Sequence, residues 1–141
     1  MTSINQKEFN LPLKIIQQLL SHALSSKETE VCGVIGAIEG VVTRCYPITN
    51  VHSQPRNKFT LNTIEQIATF KELREHGEKL FAIYHSHPHS PAYPSKTDLA
   101  LSNYPDALYL IISLNTKGVL ELRGFNLKNT QIEEVSLTPY S

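Results

Sequence analysis

The apolar and polar positions along the chain alternate in two different periods, and the changes of period mark out its elements. From Leu11 to Leu24 the apolar residues Leu13, Ile16, Leu20, Ala23 and Leu24 recur at helical spacing, with Pro12 in the first turn, where the missing N–H breaks no helical hydrogen bond. The stretch "EVCGVIGAIEGVVTRCYPI" reads as two β-rich runs split at "EG", where Gly40 signals a turn, and predicts a hairpin. "NVHSQPRNKF" is a polar loop rich in turn formers. A second helix is expected over Leu61 to His76, with Ile64, Ile67, Ala68 and Leu73 on one side, Asn62 or Thr60 as its cap and Gly77 as its stop. "KLFAIYH", "ALYLIISL" and "VLELRGF" follow as apolar strands, the last two joined by the turn "NTKG". "QIEEVSL" alternates weakly and is expected as a closing strand.

The order is then helix, hairpin, helix, strand, short helix, hairpin, strand, with no repeat or linker between them. This predicts one α/β domain over residues 1–141, a mixed sheet with helices packed against it. A chain of 141 residues, 40% of them hydrophobic, can bury a core of its own.

Charge removes one class of function. The 13 basic and 13 acidic side chains cancel and no block of like charge occurs, so the long-range attraction for phosphate that nucleic-acid binders show is missing. The longest apolar runs fall short of the ~18 residues a membrane span requires, and "MTSINQKEFN" lacks the pattern of a signal peptide. The expectation is a cytoplasmic chain with neither nucleic acid nor membrane as partner. Cys32 and Cys45 make neither a disulfide framework nor a Cys-x-x-Cys knuckle and are read as packed thiols.

The candidate chemistry lies in "HSHPHSPAYPSKTD", His85 to Asp98. In an extended segment side chains two apart share a face, so His85 and His87 project together from the end of the strand. With Asp98 they form a set suited to Zn²⁺, since imidazole and carboxylate both bind it and three protein ligands leave a position open for water. "PSKTD" has a second reading: Ser95 with Asp98 three residues on resembles a capping box, which accounts for those two residues but not for the histidines. A hydrolytic site also needs a group to move a proton. Glu30, at the entry of the first apolar run, is available, though alone it would read as a solvated strand end.

Glu30-Val31-Cys32-Gly33, then His85-Ser86-His87-Pro88, then Ser95-Lys96-Thr97-Asp98, with ten residues between His87 and Asp98, resemble the JAMM (MPN+) metallopeptidase family. The match in order runs from the first helix to "RGF". The resemblance implies a cytidine-deaminase-like α/β fold with a curved mixed sheet, zinc held by His85, His87 and Asp98, proton handling by Glu30, and oxyanion stabilisation by Ser95. The deaminases' own H-x-E…P-C-x-x-C signature is absent. "AYPSKTDLALSNYPDALYLIIS" looks most like the small prokaryotic members that trim ubiquitin-like sulphur carriers, including the peptidase that releases cysteine from a carrier adduct. Such a carrier is therefore the expected partner, cut after its Gly-Gly terminus. Two alternatives stand beside this: a non-catalytic module of the same fold, and a deubiquitinase-like isopeptidase. The short segment from Leu99 to Asp106 lacks the insertion with which eukaryotic deubiquitinases of the family grip ubiquitin.

Overall fold

The computed structural model describes residues 7–100 and 102–141. Its elements are β1 (Glu8–Pro12), α1 (Leu13–Leu24), β2 (Cys32–Ile38), β3 (Val41–Ile48), α2 (Thr63–Glu75), β4 (Lys79–His87), α3 (Lys96–Ala100), β5 (Leu108–Ser113), β6 (Glu121–Lys128) and β7 (Gln131–Tyr140). The strands form one seven-stranded sheet in the order β1-β7-β6-β5-β4-β2-β3. It is mixed: β1 runs parallel to β7 and β4 parallel to β5, while the other neighbours are antiparallel. The two outer strands, β1 and β3, approach one another, so the sheet curls nearly closed. A parallel pair needs a long crossover, and the crossover between β4 and β5 is the proline-rich segment that carries α3.

The expected hairpin, helices and later strands are all present. β1 was not anticipated. Its residues lie in a stretch that reads as a polar terminus, and its partner β7 is at the other end of the chain, beyond the reach of any local pattern. β1 also corrects the first helix. Leu11 and Pro12 belong to the strand, and Pro12, at φ −61° and ψ 139°, is the cap from which α1 starts.

Both helices bury only part of the face expected, Ala23 with the half-buried Ile16 and Leu20 on α1 and Leu73 on α2. On α1, Leu13 and Leu24 are exposed and Ile16 and Leu20 are half-buried, while Ile15, Leu19 and Ala23 form a buried row at four-residue spacing that continues from Leu11 of β1. The helix carries two adjacent apolar stripes, and the strand leading into it sets which one meets the sheet. On α2, Ile64 (80% exposed) and Ile67 (66%) point to solvent, Ala68 is exposed too, and the inward side chains are Thr69 and Leu73 with Phe70 beside them. The cap is Asn62, whose side chain accepts from the Glu65 N–H, and Gly77 takes the positive φ that ends the helix.

The sheet separates two cores. One holds α1 with Ile35, Ala82, Tyr84, Leu110 and Ile112; the other holds α2 and α3 with Val34, Ile83, Tyr109, Ile111 and Phe125. The two-residue period of β4 thus sends Ala82 and Tyr84 to one side and Ile83, His85 and His87 to the other. Gly33 permits this arrangement. A Cβ there would lie 2.6 Å from the Tyr84 ring and 2.5 Å from the Tyr46 carbonyl oxygen, so only glycine lets β2 pass over Tyr84, whose hydroxyl bonds His22 Nδ1 at 2.7 Å.

Candidate metal centre

β4 continues through His87, so both histidines sit on strand backbone, His85 held from two sides and His87 from one. His85 pairs with Cys32 of β2 and with Ile111 of β5, and His87 pairs with Ser113 of β5. The connector then turns back. The Ser113 hydroxyl donates to the Ser90 carbonyl at 2.7 Å, and α3 brings Asp98 over the two imidazoles. His85 Nε2 and His87 Nε2 lie 3.0 Å apart, and each is 3.1 Å from Asp98 Oδ2. Glu30 completes the group: one ligand atom from each of Glu30, His85, His87 and Asp98 falls within 4.8 Å of all the others, and all four residues are buried.

The donor set fits a metal ion. Two imidazole nitrogens and a carboxylate oxygen converge, and the one other partner among them is the Ser95 N–H on Asp98 Oδ2. Their separations approach the edge of a tetrahedron with bonds of about 2.0–2.1 Å, which is about 3.3 Å. His87 is oriented for the task, because its Nδ1 donates to the Pro91 carbonyl at 2.7 Å and so leaves the Nε2 lone pair directed at the cluster. His85 Nδ1 is buried without a hydrogen-bond partner, and its ring is fixed by stacking, with the Phe59 ring 4.4 Å away at 22°.

Burial and charge set the protonation states. Burial lowers the pKa of His85 and keeps its ring neutral, against the pull of Asp98. Burial also works against a charged His87, but the hydrogen bonds to Asp98 and Pro91 outweigh it and raise its pKa. For Asp98 burial pushes upward and is overcome by the histidines, which hold the carboxyl well below the usual carboxylate range. Glu30 is pushed up to about 8, chiefly by burial, with His87 opposing and Asp98 reinforcing the shift. Its Oε1 is buried and unpartnered. A carboxyl poised near neutral pH beside a metal-ligand set can take up and release a proton under working conditions.

Ser95 shows the capping-box geometry. Its Oγ accepts from the Asp98 N–H at 3.0 Å, and its own N–H donates to Asp98 Oδ2 at 2.9 Å. This bond holds the aspartate oxygen that faces the histidines, and the serine O–H is left free to donate elsewhere. Cys32 is buried with its thiol on the Ile48 carbonyl, and Cys45 is half-buried; both are free thiols. His89 lies 3.6 Å from Glu28, away from the metal group.

Three residues that position this group carry no motif. Ser86 Oγ accepts from the Val31 N–H at 2.9 Å, which locks the segment entering β2 against the histidine strand. The Glu30 N–H donates to the Pro55 carbonyl at 2.7 Å. Asn50 uses its whole amide: Nδ2 donates to the carbonyls of Glu30 and Lys58, and Oδ1 accepts from the N–H groups of His52 and Thr60, each at 3.0 Å. In sequence it is only the first residue of a turn-rich loop. Asn50→Ala should cost about 1–3 kcal/mol, since it leaves the Glu30 carbonyl and other loop groups without partners. Urea unfolding would measure this, and an unchanged midpoint would remove Asn50 from the support of Glu30.

Residues 12–125 match the family model for prokaryotic homologues of the JAB domain. This chain belongs to that family. Among curated relatives it is 31% identical over 122 residues to the CysO-cysteine peptidase of Mycobacterium bovis, covering 85% of this chain and 83% of the relative. It is 34% identical over 101 residues to the desampylase of Haloferax volcanii, covering 67% and 73%. The solution structure of protein DSY2949 from Desulfitobacterium hafniense superposes with a TM-score of 0.84 at 31% identity, over 94% of this chain and 93% of that one. The JAB-family match spans α1 to β6 and so contains every residue of the buried group. The curled mixed sheet flanked by helices is the fold the JAMM resemblance implied.

Proposed function

We propose that this chain is a zinc-dependent peptidase that hydrolyses the bond after the C-terminal Gly-Gly of a ubiquitin-like sulphur-carrier protein, removing a C-terminal extension or a carrier-linked amino acid such as cysteine. A hydrolase of the peptidase type is what its named relatives are. The observation that carries the reading is the convergence of His85, His87 and Asp98 at 3.0–3.1 Å with the buried Glu30 carboxyl beside them. Three protein ligands and a fourth acidic group that is not needed for coordination are the parts of a catalytic site rather than a structural one. This also argues against a non-catalytic module, which has no use for a buried unpartnered carboxyl.

Zinc held by the two Nε2 atoms and Asp98 Oδ2 would act as a Lewis acid and lower the pKa of a coordinated water to about 7. Glu30 takes the proton released at the attacking oxygen and passes it to the departing amine. Ser95 keeps Asp98 in place through its backbone bonds and offers its O–H to the developing oxyanion. Buried His87, with Nδ1 fixed on Pro91, holds its orientation throughout. Free Cys32 and Cys45 support a reducing compartment, and we place the reaction in the cytoplasm. No described helix is long and apolar enough to cross a membrane.

At His85 both edges of β4 are occupied, by β2 and β5, whereas His87 pairs with β5 alone. Arg56, in the polar loop, lies 3.0 Å from Glu28 in an exposed ion pair, a weak contact that leaves its charge available to an acidic carrier body.

The test is incubation of zinc-loaded protein with carriers ending in Gly-Gly-X or Ala-Ala-X, with products read by intact mass. Release of X from the Gly-Gly form only is expected, because a Cβ next to the scissile carbonyl obstructs approach to a buried site. Equal cleavage of both forms would rule out the Gly-Gly assignment. Cleavage of a ubiquitin–lysine isopeptide at a higher rate than any carrier would favour the isopeptidase reading.

A further inference from the structure

A cavity of about 310 Å³ opens beside the metal group, and His85 and Asp98 belong to its wall. Phe59, Leu61, Ile83, Tyr104 and Tyr109 supply its apolar and aromatic surface. Apart from the metal-site pair, every described residue lining it is uncharged, and its polar groups come from side chains such as Thr63, Gln66 and Asn103. The walls are braced. Gln66 Nε2 donates to the Tyr104 hydroxyl at 2.7 Å, tying α2 to the segment before β5, and the Tyr104 N–H donates to the Tyr109 hydroxyl at 3.2 Å. Phe59, stacked on His85, belongs to the same wall. The inward face of α2 is polar where it borders this space, and its apolar Ile64 and Ile67 are turned away.

We infer that this cavity receives the side chain of the residue released, the one following the scissile bond, and that it admits uncharged side chains, cysteine included, and favours the larger ones that fill it, such as leucine, methionine, phenylalanine or tyrosine. The inference rests on the peptidase reading above and adds the identity of the leaving residue. Because the cavity shares His85 and Asp98 with the metal group, it lies within one residue's reach of the reacting carbonyl. In a Gly-Gly-X substrate the residues before the bond have no side chain to place there, and X is the first that does. The volume is in the ~300–1,000 Å³ range of sites that enclose small organic ligands, so alanine or cysteine would leave most of it unfilled. A lysine or aspartate at X would have to shed its hydration in a space whose lining, apart from the pair already committed to the metal group, carries no charge to meet it. The polar groups of Thr63, Gln66 and Asn103 suit the hydroxyl of a tyrosine or the free carboxylate end of a single released residue.

The experiment uses one carrier body extended by Gly-Gly-X, with X as Ala, Cys, Leu, Phe, Lys or Asp, and kcat/KM measured by intact mass with zinc-loaded enzyme. Leu and Phe should exceed Ala by about 10- to 200-fold, the range seen for filling an apolar pocket, with Lys and Asp at or below Ala. Thr63→Phe, which places a ring in the cavity from the first turn of α2, should bring the Phe and Ala rates together without loss of bound zinc. A second readout needs no turnover. In metal-free protein, phenylalaninamide should shift the backbone NMR signals of Leu61, Thr63 and Tyr104, and alaninamide should not. If carriers are cut at rates independent of X, the inference is overturned while the peptidase reading stands. If no carrier is cut at all, that reading fails, and the absence of phenylalaninamide shifts would then overturn the cavity assignment independently.

Discussion

Glu30→Gln should lower turnover by ~10²–10⁴-fold while leaving bound zinc unchanged, the loss expected when a general base is replaced by a group of the same shape that cannot accept a proton. The carboxyl is placed for that role by backbone bonds on both sides, from its N–H to Pro55 and from Asn50 to its carbonyl. Its Oε1 has no partner of its own, so the substitution removes no existing hydrogen bond at that atom. The fold should therefore not suffer. Burial raises the folded pKa of Glu30 from 4.5 to about 8. In metal-free protein the folded state thus holds this proton more tightly than the unfolded chain does. That contribution to stability is fully present below pH 4.5 and is lost as pH rises through about 8. The metal-free Gln variant should lack this dependence and be at least as stable as the parent near neutral pH. Denaturant melts at several pH values would check the stability, and single-turnover rates with metal analysis would check the catalysis. Near-normal turnover in a zinc-replete variant would remove Glu30 from the chemistry.

His87→Ala should abolish stoichiometric zinc binding and, with it, measurable peptidase activity. The loss should exceed the ~10–100-fold typical of removing an outer hydrogen-bond partner of a ligand, because it takes away one of the three converging donors. The protein should still fold. Both cores, one around α1 and one around Ile83, Tyr109 and Phe125, are built without the metal group, and β4 keeps its pairing through backbone atoms that alanine retains. Removing His87 also relieves Asp98 Oδ2 of one of its two imidazole neighbours, so His85 remains as its partner. Zinc added at about 100 times its Kd should stabilise the parent by ~2.7 kcal/mol and the variant by much less. Thermal unfolding with and without zinc measures the difference. A variant that kept full zinc content would exclude His87 as a ligand.

The local sequence carries those features whose cause is local. Period-two alternation in "KLFAIYHSH" places His85 and His87 on one face of a strand regardless of what surrounds them, because successive side chains of any extended segment alternate. The capping pair Ser95 and Asp98, the Asn62 cap and the turns at Gly40 and Gly77 are likewise set by residues a few positions apart. The hairpin and the order of the helices and later strands follow from the same short-range rules.

Tertiary structure decided what depends on partners distant in the chain. The strand Glu8–Pro12 exists because β7, from the other end of the chain, pairs with it, and its own residues carry too weak a pattern to declare it. That strand in turn sets the rotation of α1, so Ile15 and Leu19 are buried where Leu13 and Leu24 were expected. On α2 the apolar Ile64 and Ile67 face solvent, because the packing of Thr69, Phe70 and Leu73 against the rest of the fold sets the rotation of the helix. Glu30 is the clearest case. Its sequence neighbours give it the look of a solvated strand end. The pairing of Cys32 with His85, the Ser86 bond to Val31 and the Asn50 clamp bring it into a buried space beside two imidazoles and a carboxylate. Proton affinity depends on solvation and on charges within a few ångströms. Both are created by residues 20 to 68 positions away, so the upward shift of this carboxyl's pKa arises only when the chain folds.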